Sequence, residues 1–125
     1  MENKKRPVFL DLTRIDMPVM AVLSFAHRIT GVLMFLAIPV VIYLVGLSLS
    51  SPQGYDSVTS FFDSGLFRLA VLLMLWCFSH HFFAGIRYFM LDLDIGVNVV
   101  DGRRSAWCVL GAGLIVTVIG MVMML

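Results

Sequence analysis

The chain has 125 residues, of which 60% are hydrophobic and 14% are charged, and its formal net charge is +1. A small soluble domain leaves much of its surface exposed to water, so this composition nearly excludes a water-soluble enzyme. The low net charge argues against nucleic acid as a partner, because nucleic-acid binding requires a concentrated basic face. Cys77 and Cys108 lie separately in apolar runs and indicate neither a disulfide nor a zinc site.

Three long uncharged segments, residues 29–55, 69–86 and 105–125, predict an all-α integral membrane protein. A helix needs roughly 20 apolar residues to cross the hydrocarbon core, so each segment can supply one transmembrane helix. The segment 50–54 is rich in Ser, Pro and Gly and predicts a turn that ends the first helix. The expected helices therefore cover about 17–49, 66–92 and 103–125 of a single domain, 1–125. Asp16 is the expected N-cap of the first helix, and Arg68 and Arg87 are expected to snorkel outward from the second.

The distribution of Lys and Arg predicts the orientation of the chain in the membrane. Eight of these residues flank the start of the first helix and the second loop, whereas only Arg68 lies in the first loop; the eight are Lys4, Lys5, Arg6, Arg14, Arg28, Arg87, Arg103 and Arg104. The positive-inside rule then places the N-terminus, with an arm over residues 1–16, in the cytoplasm and the C-terminus outside. No cleavable signal peptide is visible in the first 28 residues.

The first helix carries a polar group near its cytoplasmic end. Ser24, His27, Arg28 and Gly31 follow the spacing i, i+3, i+4, i+7, which predicts that they share one helical face. Two interpretations remain open. The group is either an interfacial anchor that faces lipid phosphates, or a site for the polar head of a ligand at the membrane surface.

The second helix contains two histidines, His80 and His81, within its apolar span. Ionisable residues at that depth are costly and point to function. His81 lies about 9 Å below Arg87 along the helix, and Gly85 at i+4 leaves space where a planar ring could lie. A neutral imidazole is a good axial ligand for haem iron, although a hydrogen bond to a neighbouring helix would also explain His81. His80 points about 100° away and is the weaker candidate, and a second haem ligand would have to come from another chain.

Four motifs occur in order along the chain. They are Arg6-Pro7-Val8 with Leu10-Asp11-Leu12, Ser24-Phe25-Ala26-His27-Arg28-Ile29-Thr30-Gly31, Leu49-Ser50-Ser51-Pro52-Gln53-Gly54, and His81 followed by Gly85-Ile86-Arg87 and Asp92. Together they resemble the cytochrome b membrane-anchor subunits of bacterial succinate dehydrogenase, the succinate:quinone oxidoreductase of respiratory complex II. Tyr88 departs from the pattern, because many members of that family have a second histidine there, on the propionate side of the haem.

The resemblance implies a role for each matching residue. His81 matches the axial ligand of haem b, Ser24 and Arg28 match residues of the ubiquinone site, and His27, with Arg28 beside it, matches a residue near the haem propionates. It also implies a bundle shared with a second small anchor subunit, which supplies the other haem ligand. A flavoprotein and an iron–sulfur subunit would oxidise succinate and dock on the cytoplasmic side of the bacterial inner membrane, so no catalytic residue for that step is expected in this chain.

Two alternatives remain open at this point. One is the anchor of a fumarate reductase-type complex or another di-haem cytochrome b, although four haem ligands are not evident in these three helices. The other is a small non-redox membrane protein in which the histidines serve only packing.

Overall fold

A computed structural model describes residues 16–124, which form four α-helices and contain no β-strand. The helices are α1 (Val19–Ser50), α2 (Pro52–Phe62), α3 (Gly65–Asp92) and α4 (Val99–Met123). The helices α1, α3 and α4 are long and apolar enough to cross a membrane, which confirms the all-α transmembrane class. The arm expected over residues 1–16 lies outside the described residues except for Asp16, and so does Leu125.

The helix ends differ in detail from the sequence expectation. Pro18, not Asp16, is the N-cap of α1, and no side chain caps that helix. The helix α4 begins at Val99, before the expected residue 103, because the Asn98 side chain accepts a hydrogen bond from the Asp101 backbone N–H at 2.8 Å. Such a cap satisfies one of the free N–H groups at a helix start, so it favours nucleation there.

The short helix α2 occupies the segment where the sequence analysis placed a turn. Ser51 is its N-cap, with the side-chain oxygen accepting from the Gly54 backbone N–H at 3.0 Å, and Pro52 takes the first helical position. Proline is tolerated there because its missing N–H would have no partner in any case. The helix α1 does end at Ser50, close to the expected Leu49, but the segment 50–54 is not only a turn, because the Ser51-Pro52 pair starts a new helix.

The core of the chain lies at the membrane end that carries Arg87, where α1, α3 and α4 pack together. Leu23, Ala84, Ala106 and Val109 form its buried apolar cluster. Toward the other end α1 and α3 leave between them an apolar groove, lined by side chains such as Val41, Leu44, Val71 and Met74. The described polar residues that are fully or nearly fully buried lie between the middle of the bundle and its packed end; they are Thr30, Ser79, His80 and Arg87.

Arg87 does not reach outward as the sequence analysis expected. Its side chain is only 7% exposed, and it joins α3 to the start of α4. Its Nε donates to Ser105 Oγ at 2.9 Å, and its Nη2 donates to the Gly102 carbonyl at 3.2 Å. These two hydrogen bonds offset the cost of burying the guanidinium inside the bundle. Arg68, at the other end of α3, is exposed and lies 3.6 Å from Asp63.

Candidate histidine site between the first and third helices

The central feature of the site is a pair of stacked imidazoles that joins α1 to α3. The rings of His27 and His81 lie nearly parallel, with centroids 4.0 Å apart and an interplanar angle of 13°. The Tyr88 ring adds an edge-on contact with His27, with centroids 5.1 Å apart. Both histidines are half-buried, so the polar cluster between the two helices remains partly accessible.

Both hydrogen-bonding contacts that the described residues make with the His81 ring fall on Nδ1. This nitrogen lies 3.1 Å from the backbone carbonyl oxygen of His27 and 3.4 Å from Oγ1 of Thr30. A carbonyl oxygen can only accept, so Nδ1 is assigned as the protonated nitrogen that donates to it. The other nitrogen, Nε2, then carries the lone pair that a metal ion requires.

Two glycines shape the space around His81. A Cβ atom built on Gly31 would lie 2.9 Å from Cε1 of His81, closer than real side chains approach, so the ring rests directly on the α1 backbone. A Cβ atom on Gly85 would meet nothing within 4 Å. The open position beside Gly85 agrees with the space expected from the sequence, whereas the contact with Gly31 was not anticipated.

Thr30 is a component of the site to which the sequence analysis assigned no role. It is fully buried, and its hydroxyl donates to the carbonyl oxygens of Ala26 at 2.9 Å and His27 at 3.0 Å. The signal that could have found it is its position three residues after His27, on the side of α1 that also carries the buried Leu23.

Ser24 and Arg28 are not brought into contact with His81. Ser24 is half-buried and Arg28 is exposed, on the flank of α1 beside the buried face. Arg28 borders a shallow apolar groove formed with Ile29, Val32 and Leu33. Of the four residues expected on one face, His27 and Gly31 contact His81, Ser24 is half-buried beside them, and Arg28 is exposed.

His80 occupies a different environment from its neighbour. It is fully buried, its ring is stacked on Trp76 with centroids 5.5 Å apart, and its backbone lies against Gly113 of α4. Neither ring nitrogen has a well-formed hydrogen bond, although the Leu23 backbone lies near the ring. An imidazole enclosed in this way is closed to any large ligand.

The described residues 16–124 contain no group of three or more His, Cys, Asp or Glu side chains that could hold a metal ion. A single available imidazole nitrogen such as Nε2 of His81 is compatible with a haem, whose macrocycle supplies four nitrogens of its own.

Comparison with known proteins identifies the family. The profile described as "Succinate dehydrogenase/Fumarate reductase transmembrane subunit" matches residues 2–120. The chain belongs to this family. It is 39% identical over 118 residues to the succinate dehydrogenase cytochrome b556 subunit of Coxiella burnetii, with 94% of each chain covered. The subunits with the same name from Rickettsia felis and Paracoccus denitrificans are 24% and 20% identical, over 92% and 94% of this chain and 90% of each relative.

Membership in the succinate dehydrogenase/fumarate reductase transmembrane family confirms the resemblance noted in the sequence. It makes the chain a multi-pass membrane subunit of an oxidoreductase, and it disfavours the interpretation as a non-redox protein. The motifs that carry the resemblance include the stacked histidines, His27 and His81, and also Ser24 and Arg28.

Proposed function

We propose that this chain is the haem b-containing membrane anchor of a succinate dehydrogenase, which docks the flavoprotein and iron–sulfur subunits and forms part of the ubiquinone-reduction site. The observation that carries the proposal is the hydrogen bonding of His81 within a transmembrane helix. Nδ1 faces the backbone carbonyl of His27, and Nε2 has no hydrogen-bond partner among the described residues. Family membership and the printed names of the relatives support the same function.

The residues around His81 fit a haem. Nε2 is the candidate axial ligand, and the open position beside Gly85 provides space for a planar macrocycle. His27 and Arg28 lie toward the membrane surface from Gly31, where an imidazole N–H and a guanidinium can receive the propionates. A second small anchor subunit would supply the other axial ligand, since His80 is enclosed between α3, α1 and α4. Bound haem would supply a one-electron carrier next to the quinone site.

The flank of α1 supports a quinone site. Ser24 can donate a hydroxyl proton to a quinone carbonyl, and the Arg28 guanidinium can stabilise the negative charge that develops there on reduction. The apolar groove past Ile29 and Val32 offers a surface for the hydrophobic part of a quinone. Reduction to the quinol consumes two protons, so a position at the end of the bundle, close to water, suits the reaction better than the bilayer centre.

The charges and the exposed apolar surface support the proposed orientation and partners. Arg103 and Arg104 are exposed at the start of α4, on the same side as Arg28, which favours a cytoplasmic location for this end in a bacterial inner membrane. The N-terminus would then be cytoplasmic and the C-terminus periplasmic. Large exposed apolar side chains, such as Phe35 at 70% and Phe89 at 72%, would face lipid or the second anchor subunit.

The optical spectrum of the purified complex tests the proposal. We expect a reduced-minus-oxidised b-type α band that His81→Leu abolishes or shifts, because the substitution removes the ligating nitrogen. The matched variant, His80→Leu, should retain the band, since that ring contacts only the interior of the chain. A complex that assembles with His81→Leu and keeps an unchanged spectrum would contradict the haem assignment.

A further inference from the structure

We infer that Thr30 and Gly31 are positioning residues for the His81 imidazole. They fix its Nδ1–H tautomer and the position of its ring, so that Nε2 is available to ligate a metal. The inference rests on the proposed function of His81 and deepens it. It names residues of α1 that touch neither the metal nor the quinone in the proposed site, and it assigns them a measurable effect on the haem.

The proton of the Thr30 hydroxyl points away from Nδ1 of His81. The Thr30 hydroxyl has a single proton, and its two closest acceptors are the carbonyl oxygens of Ala26 at 2.9 Å and His27 at 3.0 Å. Its distance to Nδ1 of His81 is longer, 3.4 Å. The hydroxyl therefore directs its proton to the α1 backbone and presents a lone pair to the imidazole.

The surroundings of Nδ1 of His81 therefore favour a proton on that nitrogen. Nδ1 of His81 faces two acceptors, the His27 carbonyl at 3.1 Å and the Thr30 oxygen, and it faces no donor among the described residues. The tautomer protonated at Nε2 would place three lone pairs against one another inside the bundle, which is unfavourable in a low dielectric. The α1 backbone and Thr30 thus select the Nδ1–H tautomer before any ligand binds.

Only glycine at position 31 allows the His81 ring to lie where it does. A Cβ atom there would lie 2.9 Å from Cε1 and 3.4 Å from Nδ1 of His81. An alanine would push the ring away from the His27 carbonyl and loosen the hydrogen bond that sets the tautomer. Partners of this kind orient a ligating histidine and raise its basicity, and their loss typically lowers metal affinity about 10–100-fold.

The experiment uses the purified, membrane-extracted complex with two matched pairs of variants. Thr30→Val removes the hydroxyl at nearly constant shape, and Thr30→Ser keeps it. Gly31→Ala introduces the methyl group against His81, whereas Gly46→Ala introduces the same group on the same helix where nothing lies within 4 Å. The readouts are haem content per complex, transfer of haem to an excess of an apo haem-binding protein, and the midpoint potential of the haem.

We expect Thr30→Val and Gly31→Ala to lose haem to the competitor with roughly 10–100-fold lower apparent affinity. We also expect a more positive midpoint potential, because a less basic imidazole stabilises ferric iron less. Thr30→Ser and Gly46→Ala should resemble the unmodified complex. Wild-type haem retention and potential in both Thr30→Val and Gly31→Ala would overturn the inference, as would Thr30→Ser behaving like Thr30→Val.

The result for His81 separates this inference from the proposed function. If His81→Leu removes the b-type spectrum while Thr30→Val and Gly31→Ala leave the haem unchanged, only the positioning roles fail. If the spectrum survives His81→Leu, the ligand assignment fails and the positioning roles fail with it. If Gly31→Ala does not assemble, the comparison of Thr30→Val with Thr30→Ser decides alone, because both retain a β-branched or small side chain without added bulk.

Discussion

The helix α3 has two faces that differ in how tightly they are closed. The face toward α4 is packed through small residues: Gly102 and Gly113 are buried there, and Ser79 donates to the Gly113 carbonyl at 3.3 Å. The face toward α1 holds the stacked rings of His27 and His81, both half-buried. One face is built for close approach of helices, and the other for access to a polar group.

Adjacent residues sample these two faces, because successive side chains on a helix point about 100° apart. His80 is fully buried toward α4 and α1 and has no well-formed hydrogen bond at either ring nitrogen. His81 turns to α1 and finds an acceptor for Nδ1. Depth in the membrane alone therefore does not identify a functional histidine. The hydrogen-bond partner of Nδ1 and the accessibility of Nε2 distinguish His81 from His80.

The largest effect on activity is expected from substitutions on α1, near the accessible face of α3. Ser24→Ala or Arg28→Leu should lower quinone reduction by about 10²–10³-fold, the usual cost of losing one donor to a developing oxyanion, or by less in a wetter site. Succinate oxidation with a soluble artificial acceptor should persist, because the flavin and the clusters would lie in other chains. Steady-state assays of one preparation with both acceptors measure the difference.

Ser48→Ala is a matched control for this prediction, since Ser48 lies on α1 near its other end and bonds only its own helix, to the Val45 carbonyl at 2.9 Å. If α1 is merely an interfacial anchor, the Ser24 and Arg28 variants should leave both activities normal or lower them together as the complex detaches. Equal activity ratios in all three variants would remove the quinone site from this flank.

A second effect, on stability, is expected on the α4 side. Arg87→Leu removes two charge-assisted hydrogen bonds that join α3 to α4, each worth roughly 1.5–3 kcal/mol. We therefore expect the purified complex to unfold at a clearly lower temperature. Ser105→Ala removes only one acceptor of Arg87, so its effect should have the same direction and be smaller. A complex with Arg87→Leu that is as stable as the unmodified one would show that the two faces do not differ in this way.

Much of the architecture could be predicted from the sequence because it depends on properties that are local. Runs without charge predict the three spanning helices, and they do so without knowledge of any contact. The helix α2 was missed because Ser51-Pro52 is compatible with both a turn and a helix start. The direction of Arg87 was missed because its acceptors, Ser105 and the Gly102 carbonyl, belong to another helix.

The candidate site also has a part that could be predicted from the sequence and a part that could not. The motif spacing identified His27 and His81, but the stacking between their rings requires the register of α1 against α3, which no single helix contains. Spacing alone also grouped Arg28 with His27, whereas rotation about the axis of α1 leaves Arg28 exposed. Thr30 and Gly31 become visible only when the His81 ring is placed against them.

The smallest effect is expected at His80, where the direction of the change in stability distinguishes two environments of the ring. Its buried ring nitrogens lack well-formed hydrogen bonds, and leaving such a group unsatisfied costs about 1–3 kcal/mol. His80→Phe keeps an aromatic ring next to Trp76 and removes both nitrogens, so we expect the complex to be as stable as before or slightly more stable, with normal haem content. His80→Ala is the control for lost volume and should destabilise the complex by opening a cavity. Thermal unfolding of the unmodified complex and the two variants measures the order of their stabilities. If His80→Phe destabilises as much as His80→Ala, then a ring nitrogen of His80 makes a hydrogen bond, with the nearby Leu23 backbone as the first candidate. The face of α3 toward α4 would then hold a second histidine with a satisfied hydrogen bond.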